Sequence, residues 1–269
     1  MTSRIPRSLV LLLLLLAPHH TARAEPPPAP GYPWLAGRAI AEDLAHRVAP
    51  PAGATRVPVA PGSFGAWLRH LPLLPAGAPV HLFDGQLKAR QDVHAAVVDL
   101  DVGRRDLQQC ADAVMRLRAE YLWATGRFED IRFHPDPGQS RTLAWTGGHD
   151  RAQFARYLVR VFADAGSASL QAELTPRGRA PLQPGDVLIQ GGYPGHAVLV
   201  LDVATTADGR RLLLLGQSYL PAQEFHLLKN LADPGLSPWF DAAALARPEG
   251  LQTPEWRPFH AGDVRHFPD

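Results

Sequence analysis

The chain has 269 residues, 46% of them apolar, a formal charge of +1 and one cysteine. The apolar content supplies a core and excludes a disordered chain, and the balanced charge gives no electrostatic case for nucleic acid. A single cysteine excludes an internal disulfide, so the thiol is buried and inert, paired with another chain, or reactive.

The first 24 residues carry a leader pattern. Arg4 and Arg7 precede an apolar run at residues 9–17, and Ala22-Arg23-Ala24 is a small-x-small cleavage site. The pattern predicts a secretory signal peptide over 1–24 and an exported protein, periplasmic or secreted. There is no cysteine at the cut to take a lipid, and no later stretch is apolar enough for stable membrane insertion. Losing Arg4, Arg7 and Arg23 with no acid takes the formal charge from +1 to −2. Residues 25–269 read as a single domain.

A proline-rich lead-in at 25–33 comes first. Ile40, Leu44 and Val48, four apart, predict an amphipathic helix over 36–49, stopped by Pro50-Pro51. Ser63 caps a short helix carrying Phe64, Trp67, Leu68 and Leu71, ended by Pro72. Residues 80–83 read as a strand turned by Asp84-Gly85. A longer strand follows at 93–102, with Asp99 and Asp101 on one face. Asp106 is the expected cap of a helix to Ala124 whose stripe is Leu107, Cys110, Val114, Leu117 and Tyr121. Residues 128–137 read as a short strand or loop. Asp150 caps a further helix ended by Gly166, and 169–174 is a helical stub.

Residues 184–203, PGDVLIQGGYPGHAVLVLDV, organise the rest. They read as a strand (186–190), a glycine-rich bend (Gly191, Gly192, Pro194, Gly195) and a second strand led by His196. Asp208-Gly209 then turns the chain into a strand over 211–217. Residues 225–229 add one more strand, and Trp239, Trp256, Phe259 and Phe267 anchor a loop-rich tail. Helices first and an antiparallel sheet after make the class α+β.

Two residues can do chemistry together. Cys110 is either a small hydrophobe on its helix face or a nucleophile helped by the unpaired N–H groups of a helix start. His196 is either a structural strand residue or a general base beside a groove left by the glycines before it. A base is oriented by a third polar group. Gln217 ends the partner strand near His196, although the twelve residues from His196 to Asp208 and the eight from Gly209 to Gln217 require a bulge or an offset strand start. Asp202 shares the strand face but lies about 20 Å along it. Gly192, Tyr193, Gly195, Ser218 and Tyr219 surround this point as candidate substrate contacts. No HxH or HExxH spacing occurs among the histidines after residue 24, so neither a metal nor another cofactor is expected.

The order Gln108-Gln109-Cys110-Ala111-Asp112, Pro184-Gly185-Asp186-Val187, Gly195-His196-Ala197-Val198 resembles the papain-like cysteine hydrolases, and among them the secreted cell-wall amidases of the NlpC/P60 and CHAP type. The resemblance implies N-terminal helices packed on an antiparallel sheet in a papain-like (NlpC/P60-like) core. It also implies hydrolysis of an amide or peptide bond by Cys110, His196 and Gln217, with peptidoglycan or a peptide as partner. The Cys110 backbone N–H with Gln108 or Gln109 would bind the oxyanion. The strings HLFDGQLK, DVGRRDLQQCADAVMRLRAEYL, GQSYLPAQEFHLLKN and SPWF are similar to a secreted bacterial family known as domain of unknown function 4846, whose name implies no activity. The alternative is a non-catalytic envelope protein binding peptide or glycan in the same groove.

Overall fold

The structure, a computed structural model, describes residue 1 and residues 31–136 and 141–268. The leader pattern lies, its first residue apart, outside the described residues. The helices are α1 (Leu44–Arg47), α2 (Phe64–Arg69), α3 (Cys110–Ala124), α4 (Arg151–Asp164) and α5 (Ser167–Glu173). The strands are β1 (Ala54–Arg56), β2 (His94–Val97), β3 (Arg132–Phe133), β4 (Leu143–Ala144), β5 (Thr175–Pro176), β6 (Val187–Gln190), β7 (His196–Thr206), β8 (Arg211–Gln217), β9 (His226–Leu228), β10 (Trp239–Asp241) and β11 (Val264–His266). The fold is mixed, with a large antiparallel sheet of order β2-β9-β8-β7-β6-β11-β5 and a separate β3–β4 pair. Among the described residues no helix is long and apolar enough to cross a membrane.

The sheet grows from the β7–β8 hairpin. β7 pairs with β6 over residues 196–199 and with β1 over 204–206. β8 likewise pairs with β10 at one end and β9 at the other. Both faces of β7 are apolar and both are covered. Ala197, Leu199 and Leu201 join the core formed with α2, α3 and α4. Val198, Val200 and Val203 join a second core with Phe240, Leu245, Leu251 and Phe259 from the tail. The loop-rich tail is thus a layer of the structure, with Trp239 and Phe259 fully buried.

Of the two alternatives that the residue count allowed, the hairpin contains the bulge, between Val200 and Asp202. Asp202 lies beside it, fully buried, and takes Arg56 Nε at 2.6 Å and Arg69 Nε at 2.8 Å on its two oxygens. Each arginine also donates to backbone carbonyls, Arg56 to Val48 and Arg69 to Val57. Asp202 therefore ties β7 to β1 and α2 and does not orient His196.

Several elements differ from the sequence reading. The helix expected over 36–49 is confined to α1, and Ile40 is exposed. Asp43 bonds its side chain to His46 N and starts the helix there. The expected strand over 93–102 stops at Val97. Beyond it Leu100 N turns back to Val98 O, and Asp99 and Asp101 pair with different arginines, Arg38 and Arg116. Asp106 does not cap α3. Its Oδ1 accepts from Ala222 N and Gln109 Nε2, while Asp112 Oδ2 accepts from Gln109 N at the true start. Residues 81 and 82 form only isolated bridges. The caps Ser63 and Asp150, α2, α4 and the β7–β8 turn stand as expected.

Replacing Asp202 with alanine leaves two half-buried guanidinium groups without their anion. It is expected to cost about 3–5 kcal/mol, measured as a lowered urea midpoint. An unchanged midpoint would contradict the role given to this carboxylate.

Candidate active site

Cys110 is the first residue of α3, not a residue a turn inside it. Its Sγ lies 4.0 Å from Gly195 O, and the backbone N–H groups of Ala197, Ala111 and Cys110 itself favour the thiolate. The thiol thus meets β7 at the residues either side of His196. Two effects oppose each other there. The N–H groups and helix start favour a thiolate, by about 0.3–1 kcal/mol for the helix dipole. Burial opposes it and wins, pushing the thiol from its ordinary 9.0 up to about 11, with Asp112 adding a smaller upward push. Only 7% of Cys110 is exposed.

His196 is fully buried. Its Nε2 lies 2.8 Å from Gln217 Oε1. Gly216 faces Leu199, so Gln217 comes across from Val198 and meets the histidine diagonally. Gln217 Nε2 in turn reaches Glu255 Oε2 at 3.4 Å, and Glu255 Oε1 pairs with the buried Lys88. This chain fixes directions. Glu255 takes the amide hydrogens, so the amide oxygen faces the ring and Nε2 carries the proton. Nδ1 is left as an acceptor. It is buried with no hydrogen-bond partner among the described residues, so thiol and imidazole are not bonded to each other. The ring lies in the second layer, 5.0 Å from Trp256, 5.1 Å from Tyr219 and 6.3 Å from Phe259. Cys110 belongs to the first. Burial pulls the imidazole from 6.5 down to about 4, against the opposing hydrogen bond to Gln217.

The structure brings Cys110, His196 and Gln217 to one end of the β7–β8 hairpin. The other candidates divide. Tyr193 is exposed. The glycines of the bend do not leave a groove, because α5 fills the space. Ser167 Oγ donates to Gly192 O at 3.1 Å, and a Cβ on Gly195 would stand 2.1 Å from that hydroxyl. Ser218 is fully buried and donates to Gln223 O at 2.7 Å, so it faces inward rather than toward a substrate. Tyr219 Oη donates to Glu255 O at 2.8 Å, and Glu255 stands at φ 70°. The Gln108 amide is engaged with Asp101 and Arg116, and the Gln109 amide with Asp106. Both are corrected as oxyanion donors. Clefts of about 420 Å³ open beside Phe64, Arg118 and Asp186 and beside Trp34, Arg104 and Arg151. Cys110, His196 and Gln217 line neither.

Sequence reasoning missed Glu255 and Lys88. They reach the site from loops 38 residues beyond Gln217 and 167 residues before Glu255. No local motif marks them.

A family model described as "Domain of unknown function (4846)" matches residues 44–149 and 139–266. No curated protein and no solved structure matches the chain.

His226, also fully buried, is drawn from 6.5 down to about 3 by the loss of solvent. With the folded values of His196 and His226 lowered, their contribution is fully present above pH 6.5. Below it the unfolded chain takes up protons that the native state refuses, and the contribution is lost down to pH 4 and below. His196 alone accounts for on the order of 3 kcal/mol. Thermal melts between pH 7 and 4 are expected to show a steeper fall for the native sequence than for His196→Gln. Parallel curves would contradict the lowered imidazole.

Proposed function

We propose a function for a chain that belongs to the family described as domain of unknown function (4846): an exported cysteine amidase or peptidase with a papain-like core, acting on cell-wall or similar amide bonds. One observation carries the reading. Cys110 heads a fifteen-residue helix against the start of β7, where His196 has its Nε2 held by Gln217 and its Nδ1 without a hydrogen-bond partner among the described residues.

The chemistry follows from those atoms. The resting pair is neutral, thiol and imidazole, since burial raises the one and lowers the other. At rest the ring lies in the second layer and the thiol in the first, so proton transfer between them requires a movement on substrate binding that brings Nδ1 to Sγ. Nδ1 takes the thiol proton as sulfur attacks the carbonyl carbon. The tetrahedral oxyanion is met by backbone N–H groups at the start of α3, which have no partner within the helix. His196 returns its proton to the leaving amine. Water, deprotonated by the same nitrogen, then releases the acyl group and restores the thiol. Gln217, itself aimed by Glu255 and Lys88, keeps the imidazole in the required tautomer throughout.

The burial of Cys110 favours a second reading, in which the same end of the hairpin binds peptide or glycan without cleaving it. Peptidoglycan fragments separate the two. The native protein is expected to release new amino termini from them. Cys110→Ser and His196→Gln are expected to abolish release, and Glu255→Gln to lower kcat by roughly ten- to a hundredfold with KM little changed. Retained cleavage in Cys110→Ser would remove the thiol mechanism. Binding without cleavage by the native protein would establish the second reading.

A further inference from the structure

His46 lies in α1, and His70 follows the last residue of α2. Both turn the same ring nitrogen to one carboxylate. His46 Nδ1 is 2.7 Å from Asp43 Oδ1, and His70 Nδ1 is 3.0 Å from Asp43 Oδ2. One donor atom from each of the three residues lies within 4.8 Å of the others. We infer that Asp43, His46 and His70 form a binding site for a divalent transition cation of the zinc type, with two imidazole nitrogens and a carboxylate oxygen as ligands.

The geometry fits that class of ion. Two ligands each about 2.0–2.1 Å from a tetrahedral zinc stand about 3.3 Å apart. The two nitrogen–oxygen separations here, 2.7 and 3.0 Å to different oxygens of Asp43, are shorter than that by about 0.6 and 0.3 Å, so the rings have to open slightly to admit the ion in place of the bridging protons. Two imidazoles and one carboxylate suit zinc, copper or nickel, whereas calcium and magnesium select all-oxygen sets.

The backbone holds the three residues in place. Asp43 forms a β-bridge with Pro72, two residues beyond His70, and Leu44 N bonds Leu71 O at 3.0 Å. Leu44 beside the site is fully buried. Asp43 is fixed further by accepting His46 N at 2.9 Å. The imidazoles keep freedom to complete the sphere, because their side chains are 77% and 45% exposed, and the open side admits water as a fourth ligand. The neighbouring cations are engaged with other anions, Arg47 with Glu42 and Arg69 with Asp202. A bound ion would clasp the start of α1 to the end of α2. No local sequence motif marks this site, because its ligands come from two elements and their spacing is set by tertiary structure.

The test is titration of the purified, chelator-treated protein with cobalt(II), followed by displacement with zinc. One equivalent of cobalt is expected to bind with the visible absorption of a four-coordinate site and to be displaced by one equivalent of zinc. Asp43→Asn keeps a good helix cap and is expected to weaken zinc by roughly tenfold or more. His46→Ala with His70→Ala is expected to abolish uptake. Melting in chelator confirms that each variant is folded. Zinc is expected to raise the native melting temperature and leave the double variant unmoved. Failure of the native protein to take up one equivalent, or equal uptake by the folded double variant, overturns the assignment.

Discussion

A strand that is apolar on both faces cannot be left with either face in water, and β7 is such a strand. Its eleven residues are buried apart from the last two. One side meets α2 and α3, the other meets a tail that contributes little regular structure of its own. This double burial gives the tail its place. It brings Phe259, Trp256 and Glu255 to the second face and so builds the pocket in which His196 sits. The same constraint makes the bulge costly unless its polar groups are satisfied. Asp202, beside it, meets two arginines and its own neighbour's N–H, from Val203.

Burial also decides the electrostatics of the site. A thiol at a helix start is commonly activated by the helix. Here the desolvation of Cys110 outweighs that help, and the imidazole is kept neutral by the same cause. In the proposed mechanism the pair would react by proton transfer along a defined direction, and the Lys88–Glu255–Gln217 chain fixes the orientation of the ring. A charged Lys–Glu pair in the interior is a poor way to gain stability. Its position behind the amide that aims the histidine gives it a role in positioning.

Elements whose signals are local were legible in the sequence. Ser63 and Asp150 cap their helices with their own side chains. Asp208-Gly209 turns the hairpin with Gly209 at φ 86°. The unequal arms of that hairpin required a bulge or an offset strand start, and the structure has the bulge. Where a capping side chain had a distant alternative, the reading failed. Asp106 serves Ala222 N, and α3 begins three residues later than a cap at Asp106 would set it. The glycines of the bend signalled close approach correctly, but the neighbour that approaches is α5.

The sequence alone determined the mixed helix-and-sheet class, the central hairpin and the pairing of His196 with Gln217. Each rests on residue periodicity, turn chemistry or strand register, which act over a few residues. Only the tertiary structure decided that Cys110 heads its helix, that Ser218 turns inward, that Glu255 and Lys88 stand behind Gln217, and that Asp43, His46 and His70 converge. Those arrangements depend on which distant backbone groups and side chains compete for the same hydrogen bonds, and that competition is settled only when the layers on both faces of β7 have packed.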